Sequence, residues 1–263
     1  MFICAKPIYP AGMSRKKNTF ALFRATVSDA RGATLAVTAR SFYQVWVNGK
    51  FVAFGPARTA DGYARVDLLP INDFLTDGAC EITVAVVGHF CRSLSTTLGE
   101  SFVQAELVRD GEVLCATGDD FDAFMPPVKV REAMRYSIQR HFMEVWDFRS
   151  VRELTCPEYR VSTEVTSDVP RTLPRRAPYA HTEDVLLGGA ASGGTLVYDG
   201  ELEYRTLYRY QINSNEYKDG RFHIIGEFIK ENSPSDYLCT KLLRGGIPQE
   251  ILHKFNKEGG NTT

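Results

Sequence analysis

Apolar and polar residues alternate with period two along much of the first 150 positions, the pattern of strands rather than helices. The clearest run is residues 33–54. Leu35, Val37, Ala39, Ser41, Tyr43, Val45 and Val47 fall on one face, which is expected to be the better buried. Thr34, Thr38, Arg40, Phe42, Gln44 and Trp46 fall on the other. The run exceeds an ordinary strand, so a bend or bulge is expected near Arg40. Asn48-Gly49 then offers the positive φ angles of a tight turn and sends the chain back through Lys50 to Phe54. A two-residue loop puts Trp46 beside Phe51 and Val45 beside Val52.

Asn-Gly or Asp-Gly pairs recur at Asn48, Asp61, Asp77, Asp110, Asp199 and Asp219, several of them between alternating runs. Ile82, Val84 and Val86 mark one further strand. Val103, Ala105 and Leu107 mark the next, which turns at Asp110-Gly111 into Val113–Cys115. Short strands at regular spacing predict a mainly β protein, an antiparallel β-sandwich of jelly-roll or galactose-binding-like type over residues 1–154. Residues 131–148 read either way: Tyr136, Ile138, Phe142 and Trp146 alternate as in a strand, and a helix also fits. Residues 155–195 are rich in Pro, Thr, Ser and Gly and predict an extended connector. Residues 196–263 predict a smaller β-rich segment, with Leu202, Tyr204, Thr206, Tyr208, Tyr210 and Ile212 on one face. One or two short C-terminal helices and a frayed tail follow, the first helix opened by Ser233-Pro234.

Charge narrows the partners. There are 31 Lys+Arg against 32 Asp+Glu, a net charge of −1, so no whole-chain field draws in nucleic acid or an anionic membrane. The apolar start is too short for a signal peptide, and no stretch reaches the ~18 apolar residues of a membrane span. Six cysteines without a CxxC read as reduced thiols, which points to a cytoplasmic protein.

Chemistry-bearing motifs are missing: no GxSxG, HExxH, P-loop or strand-to-helix GxGxxG occurs. His89-x-Cys91 is one two-ligand spacing where zinc needs three or four ligands, so no metal or cofactor is expected. The acids Asp119, Asp120, Asp122, Glu227 and Glu231 have no setting that implies a catalytic pair, so no catalytic residue is named. Aromatics are the better lead. Trp46 with Phe42 and Phe51, and the stripe Tyr204, Tyr208 and Tyr210, could stack sugar rings as a carbohydrate-binding platform, or could simply pack a sheet. Arg135, Gln139, Arg140 and Glu144 interleave with Tyr136, Phe142 and Trp146 as interface residues do, although a buried strand fits equally well.

The run from Ala39 to Lys50, continued by Phe54-Gly55-Pro56-Ala57-Arg58, resembles the N-terminal β-sandwich region of α-L-rhamnosidase-type glycoside hydrolases. Asn18–Arg24 is similar to that region's opening strand, and Gly62–Asp67 and Glu81–Val87 follow in the family's order. Arg135–Arg140 with Phe142 and Glu144, then Arg176-Ala177-Pro178-Tyr179, resemble later segments. The family's catalytic acids lie in a helical toroid C-terminal to these sandwiches, for which this chain has no room. The resemblance therefore implies a non-catalytic accessory region or truncated relative. Its partner would be a glycosidase catalytic domain or a second copy of itself. The alternative is an autonomous carbohydrate-binding module.

Overall fold

The computed structural model describes residues 2–131, 133, 140–142, 144–149, 151 and 153–183. Arg135, Tyr136 and Gln139, the stripe Tyr204, Tyr208 and Tyr210, and the expected C-terminal helices lie outside the described residues.

Among the described residues thirteen strands form: β1 (Ile8–Pro10), β2 (Thr19–Val27), β3 (Thr34–Arg40), β4 (Phe42–Val47), β5 (Lys50–Gly55), β6 (Tyr63–Pro70), β7 (Cys80–Gly88), β8 (Phe102–Arg109), β9 (Glu112–Ala116), β10 (Asp122–Phe124), β11 (Arg160–Val161), β12 (Thr163–Val165) and β13 (Arg171–Pro174). The first sheet runs β12-β1-β8-β3-β6-β13, with β9 also on β8; the second runs β11-β10-β2-β7-β4-β5. All pairings are antiparallel except β6 with β13. The two sheets face one another as a mainly β sandwich. Among the described residues no helix is long and apolar enough to cross a membrane.

Alternation decides what lies between the sheets. Leu35, Val37 and Ala39 of β3 and Val103, Ala105 and Leu107 of β8 point inward from the first sheet. Ala21, Phe23 and Ala25 of β2, Ile82, Val84 and Val86 of β7, and Tyr43, Val45 and Val47 of β4 meet them from the second. All of these are buried, and each full-sized aliphatic is worth about 1.5–3 kcal/mol relative to exposure. The bend expected near Arg40 is a change of sheet: β3 belongs to the first sheet and β4 to the second, with Ser41 between them. Along β3 the even face is closed as well, since Ala36, Thr38 and Arg40 are also buried.

Asn48 and Gly49, at φ 49° and 73°, form the two-residue turn between β4 and β5, and Asp110-Gly111 does the same between β8 and β9. Trp46 pairs with Phe51 as expected. Val45, however, lies opposite Ala53 rather than Val52, because β5 carries an extra residue after Phe51. Such a bulge re-aims the strand. Here it leaves both Phe51 and Phe54 on the face of Trp46 and Gln44.

The stretch 155–183 contributes more than a connection: β11, β12 and β13 extend the edges of both sheets. Beyond β13 the chain is fastened to β6. Arg175 reaches the fully buried Asp67 at 3.3 Å, and Tyr43 donates its hydroxyl hydrogen bond to the same carboxylate. Burial raises the Asp67 carboxyl above the usual range, against the pull of Tyr43 and Arg175; burial and the Asp67 charge push the Tyr43 phenol far up. Gly55 permits this contact, since a Cβ there would sit 2.4 Å from Asp67 Oδ2. The Tyr179 hydroxyl both accepts from Leu68 N–H and donates to Leu68 C=O, each at 3.0 Å.

Two other buried acids are equally committed. Glu106 accepts backbone N–H bonds from Ile3, Cys4 and Ala5 at 2.7, 3.1 and 3.1 Å. Glu100 takes Arg15 Nε at 2.7 Å and Ser167 N at 3.0 Å, and the Arg15 hydrogen bond holds its carboxyl below the usual range. None of the five described cysteines is in a disulfide, and burial pushes the Cys80 and Cys115 thiols up to about 11 and about 12.

Candidate functional site

The same strands that line the core present a second face to the outside. On it, Phe20 of β2 lies across from Val87 of β7, and Val87 from Phe42 of β4. One step along, Leu22, Ala85, Gln44 and Phe54 form a continuous row over β2, β7, β4 and β5. Ala85 is the smallest residue of these rows, so the face dips at its centre.

The described residues between 124 and 159 fold over part of this face. Phe124, Val128 and Val151 close on Phe20, Leu22 and Ala85, with Trp46, Trp146, Leu154 and Tyr159 packed against them. The part left open is a cleft of about 450 Å³ over Phe20, Phe42, Gln44, Phe54, Ala85 and Val87, walled by His89, His141, Glu144 and Trp146.

The walls are held by specific contacts. Trp146 stands edge-on to Phe20 at 4.9 Å between centroids and stacks on Phe148 at 6.1 Å. Lys129, whose side chain is 1% exposed, sets its ammonium 4.5 Å from the Trp146 ring and 2.5 Å from Glu144 Oε2. The Trp146 indole N–H donates to that same Oε2 at 2.9 Å. Both contacts fall on one oxygen of a side chain that is 53% exposed, which leaves Oε1 without a described partner. Opposite, the His141 ring lies parallel to His89, 4.6 Å away with planes 5° apart, and both meet Phe42 edge-on. His141 Nε2 is tied to Ser95 Oγ at 2.8 Å.

The residues singled out in the sequence divide across this geometry. Trp46 shares the outer face but packs on Phe51, edge-on at 5.8 Å, one row beyond the cleft. Glu144 and Trp146, read as interface residues, are cleft walls; Arg140 is exposed and Phe142 buried beside His89. Gln44, Phe54, Phe20, Ala85, Lys129 and His141 were not picked out, and His89 was weighed only as half of a metal-ligand spacing with Cys91. The outer-face positions were implicit in the odd-even alternation, because placing Val84 and Val86 inside puts Ala85 and Val87 outside.

Acidic residues weighed for catalysis have structural partners. Asp119 pairs with Lys6, Asp120 accepts from Ala116 N–H, and Asp122 pairs with Arg160; Glu227 and Glu231 lie outside the described residues. Among the described residues no three His, Cys, Asp or Glu side chains gather as a metal site requires.

No protein-family model and no curated protein matches the chain. Solved structures do. The sandwich is similar to a GH78 family rhamnosidase of Bacillus sp. GL1, with TM-score 0.61 and 24% identity over 68% of this chain and 20% of that one. Weaker likenesses are the α-L-rhamnosidases of Dictyoglumus thermophilum, TM-score 0.46 at 10% identity, and Aspergillus terreus, TM-score 0.44 at 18%. They cover 66% and 62% of this chain. The chain thus spans about a fifth of the length of the rhamnosidases it resembles: 20%, 22% and 21%.

Proposed function

We propose that this chain is a non-catalytic accessory β-sandwich of the kind built into α-L-rhamnosidase-type glycoside hydrolases. The observation that carries the reading is the likeness of the sandwich to one fifth of the Bacillus rhamnosidase. The fate of the acids supports it. Glycoside hydrolysis takes two carboxyl groups facing a sugar across a cleft. The buried acids Asp67, Glu100 and Glu106 are instead engaged by Arg175, Arg15 and backbone N–H groups. Among the described residues the open cleft presents one carboxylate, Glu144.

In this role the sandwich orients a neighbouring catalytic domain. The fastening of residues 171–179 to β6, through Arg175 and Tyr179, gives the chain leaving the sandwich a fixed course. Exposed Val145 and Phe148 beside Trp146 supply apolar surface for a helical catalytic partner or a second copy. A reducing, cytoplasmic setting suits the buried thiols Cys80, Cys91 and Cys115.

The test is release of nitrophenol from aryl α-L-rhamnoside and a panel of other aryl glycosides by the purified chain. The expected rate is that of the buffer blank. Turnover that disappears when one Asp or Glu is replaced would overturn the reading.

A further inference from the structure

We infer that the outer-face cleft of the second sheet binds a neutral pyranose, as a single sugar or the end of a glycan. The inference stands on the cleft's own geometry and holds whether or not the chain serves a rhamnosidase.

Three features point to that ligand class. The first is shape: a cleft of about 450 Å³ over the Ala85 depression is large enough for one or two sugar rings. The second is the pairing of surfaces. Sugar rings carry C–H faces that pack on aromatic rings and hydroxyls that need hydrogen bonds. Phe20, Phe42, Phe54 and Trp146 provide the rings. Gln44 rises from the middle of the floor, exposed and with no described partner for its carboxamide, which offers both a donor and an acceptor. A purely apolar ligand would bury that amide unsatisfied.

The third feature is charge. Glu144 is anchored through Oε2 by Lys129 and Trp146, so its remaining oxygen is positioned to accept hydroxyl hydrogen bonds. The Lys129 ammonium is buried beneath Glu144 and Trp146 rather than facing the mouth. An acidic sugar would therefore meet a carboxylate with its counter-ion already engaged. Neutral sugars are favoured over uronic acids.

The sequence has two tryptophans, Trp46 and Trp146, so Trp46→Phe leaves the cleft wall as the only indole reporter. The full chain carrying Trp46→Phe is titrated with L-rhamnose, L-fucose, D-galactose, D-glucose, D-mannose and D-galacturonate. Fluorescence follows the titration, and calorimetry on the unaltered chain checks it. At least one neutral sugar should bind saturably, with a dissociation constant on the order of 1 mM, and galacturonate at least tenfold more weakly. Gln44→Ala should weaken the neutral sugar about tenfold with the thermal midpoint unchanged, and Trp146→Ala should weaken it at least as much. Should Trp146→Ala fail to fold, Gln44→Ala alone decides, because that side chain makes no described contact that holds the fold. The inference is overturned if no neutral sugar saturates by about 50 mM, if binding survives Gln44→Ala undiminished, or if galacturonate binds best.

Discussion

The two faces of the second sheet are built from the same strands and have opposite fates. Inward, Phe23, Val84, Val45 and their neighbours meet the first sheet along its length, and the interior is closed. Outward, the alternate residues Phe20, Ala85, Gln44 and Phe54 are covered, among the described residues, only where Phe124, Val128, Val151 and their neighbours reach. A sheet that must seal one face to fold can leave part of the other unsealed, and the unsealed part is where rings and polar groups can meet a ligand. Most of the stability therefore resides on one parity of the alternation, and the proposed binding on the open part of the other.

The largest expected effect breaks the inner face. Phe23 is fully buried, so Phe23→Ala should cost about 3–5 kcal/mol in urea unfolding. Phe42→Ala, a half-buried ring on the outer parity, should cost under about 1.5 kcal/mol while weakening sugar binding. Equal losses at the two positions would erase the distinction between the faces.

Asp67→Ala should rank close behind, at about 3 kcal/mol, because it strands Arg175 and the Tyr43 hydroxyl without their buried partner. Its companion readout is proteolysis after residue 174, expected to quicken as the segment fastened by Arg175 loosens. A stable variant with unchanged cleavage would show that the fastening contributes nothing.

A smaller effect separates two acids by the sign of their pH dependence. Glu100 has a lowered carboxyl, so its contribution is present above the unfolded carboxylate range and is lost as pH falls through its folded value. Asp67 has a raised carboxyl, so its contribution is fullest below the unfolded value and declines as pH rises through the folded one. Thermal unfolding across acid pH should thus show Glu100→Gln reducing the loss of stability on acidification. Asp67→Asn should change the slope the other way. Slopes of the same sign in both variants would refute the assignment.

The smallest expected effect is Gln44→Ala on stability, within about 0.5 kcal/mol, since an exposed amide without a described partner gives the fold nothing to lose.

Local pattern made some of this legible in the sequence. The odd-even alternation of 35–47 and the Asn48-Gly49 pair placed the hairpin and its buried face correctly. The bulge that shifts Val45 from Val52 to Ala53 was missed, because its mark on the alternation, the three-residue spacing of Phe51 and Phe54 on one face, is too slight to read in so short a strand. Strands β11 to β13 were hidden in a Pro- and Thr-rich stretch, since they are held by edge hydrogen bonds and bury little apolar surface. The cleft escaped notice for a different reason. Ala85, Gln44 and Phe54 become neighbours only through the order β7-β4-β5, and Trp146 joins them only because its segment folds back over the sheet.

The most direct test of the division between the faces is Ala85→Leu, which raises the floor of the cleft without touching the inner core. Urea unfolding and sugar titration are measured on the same preparation. The expected result is binding weakened at least tenfold with a stability loss of about 1–3 kcal/mol, below that of Phe23→Ala, since Ala85 also packs against Phe20, Leu22 and Phe124. Undiminished binding, or a stability loss as large as that of Phe23→Ala, would contradict it by showing that the outer face is packed core and not an open site.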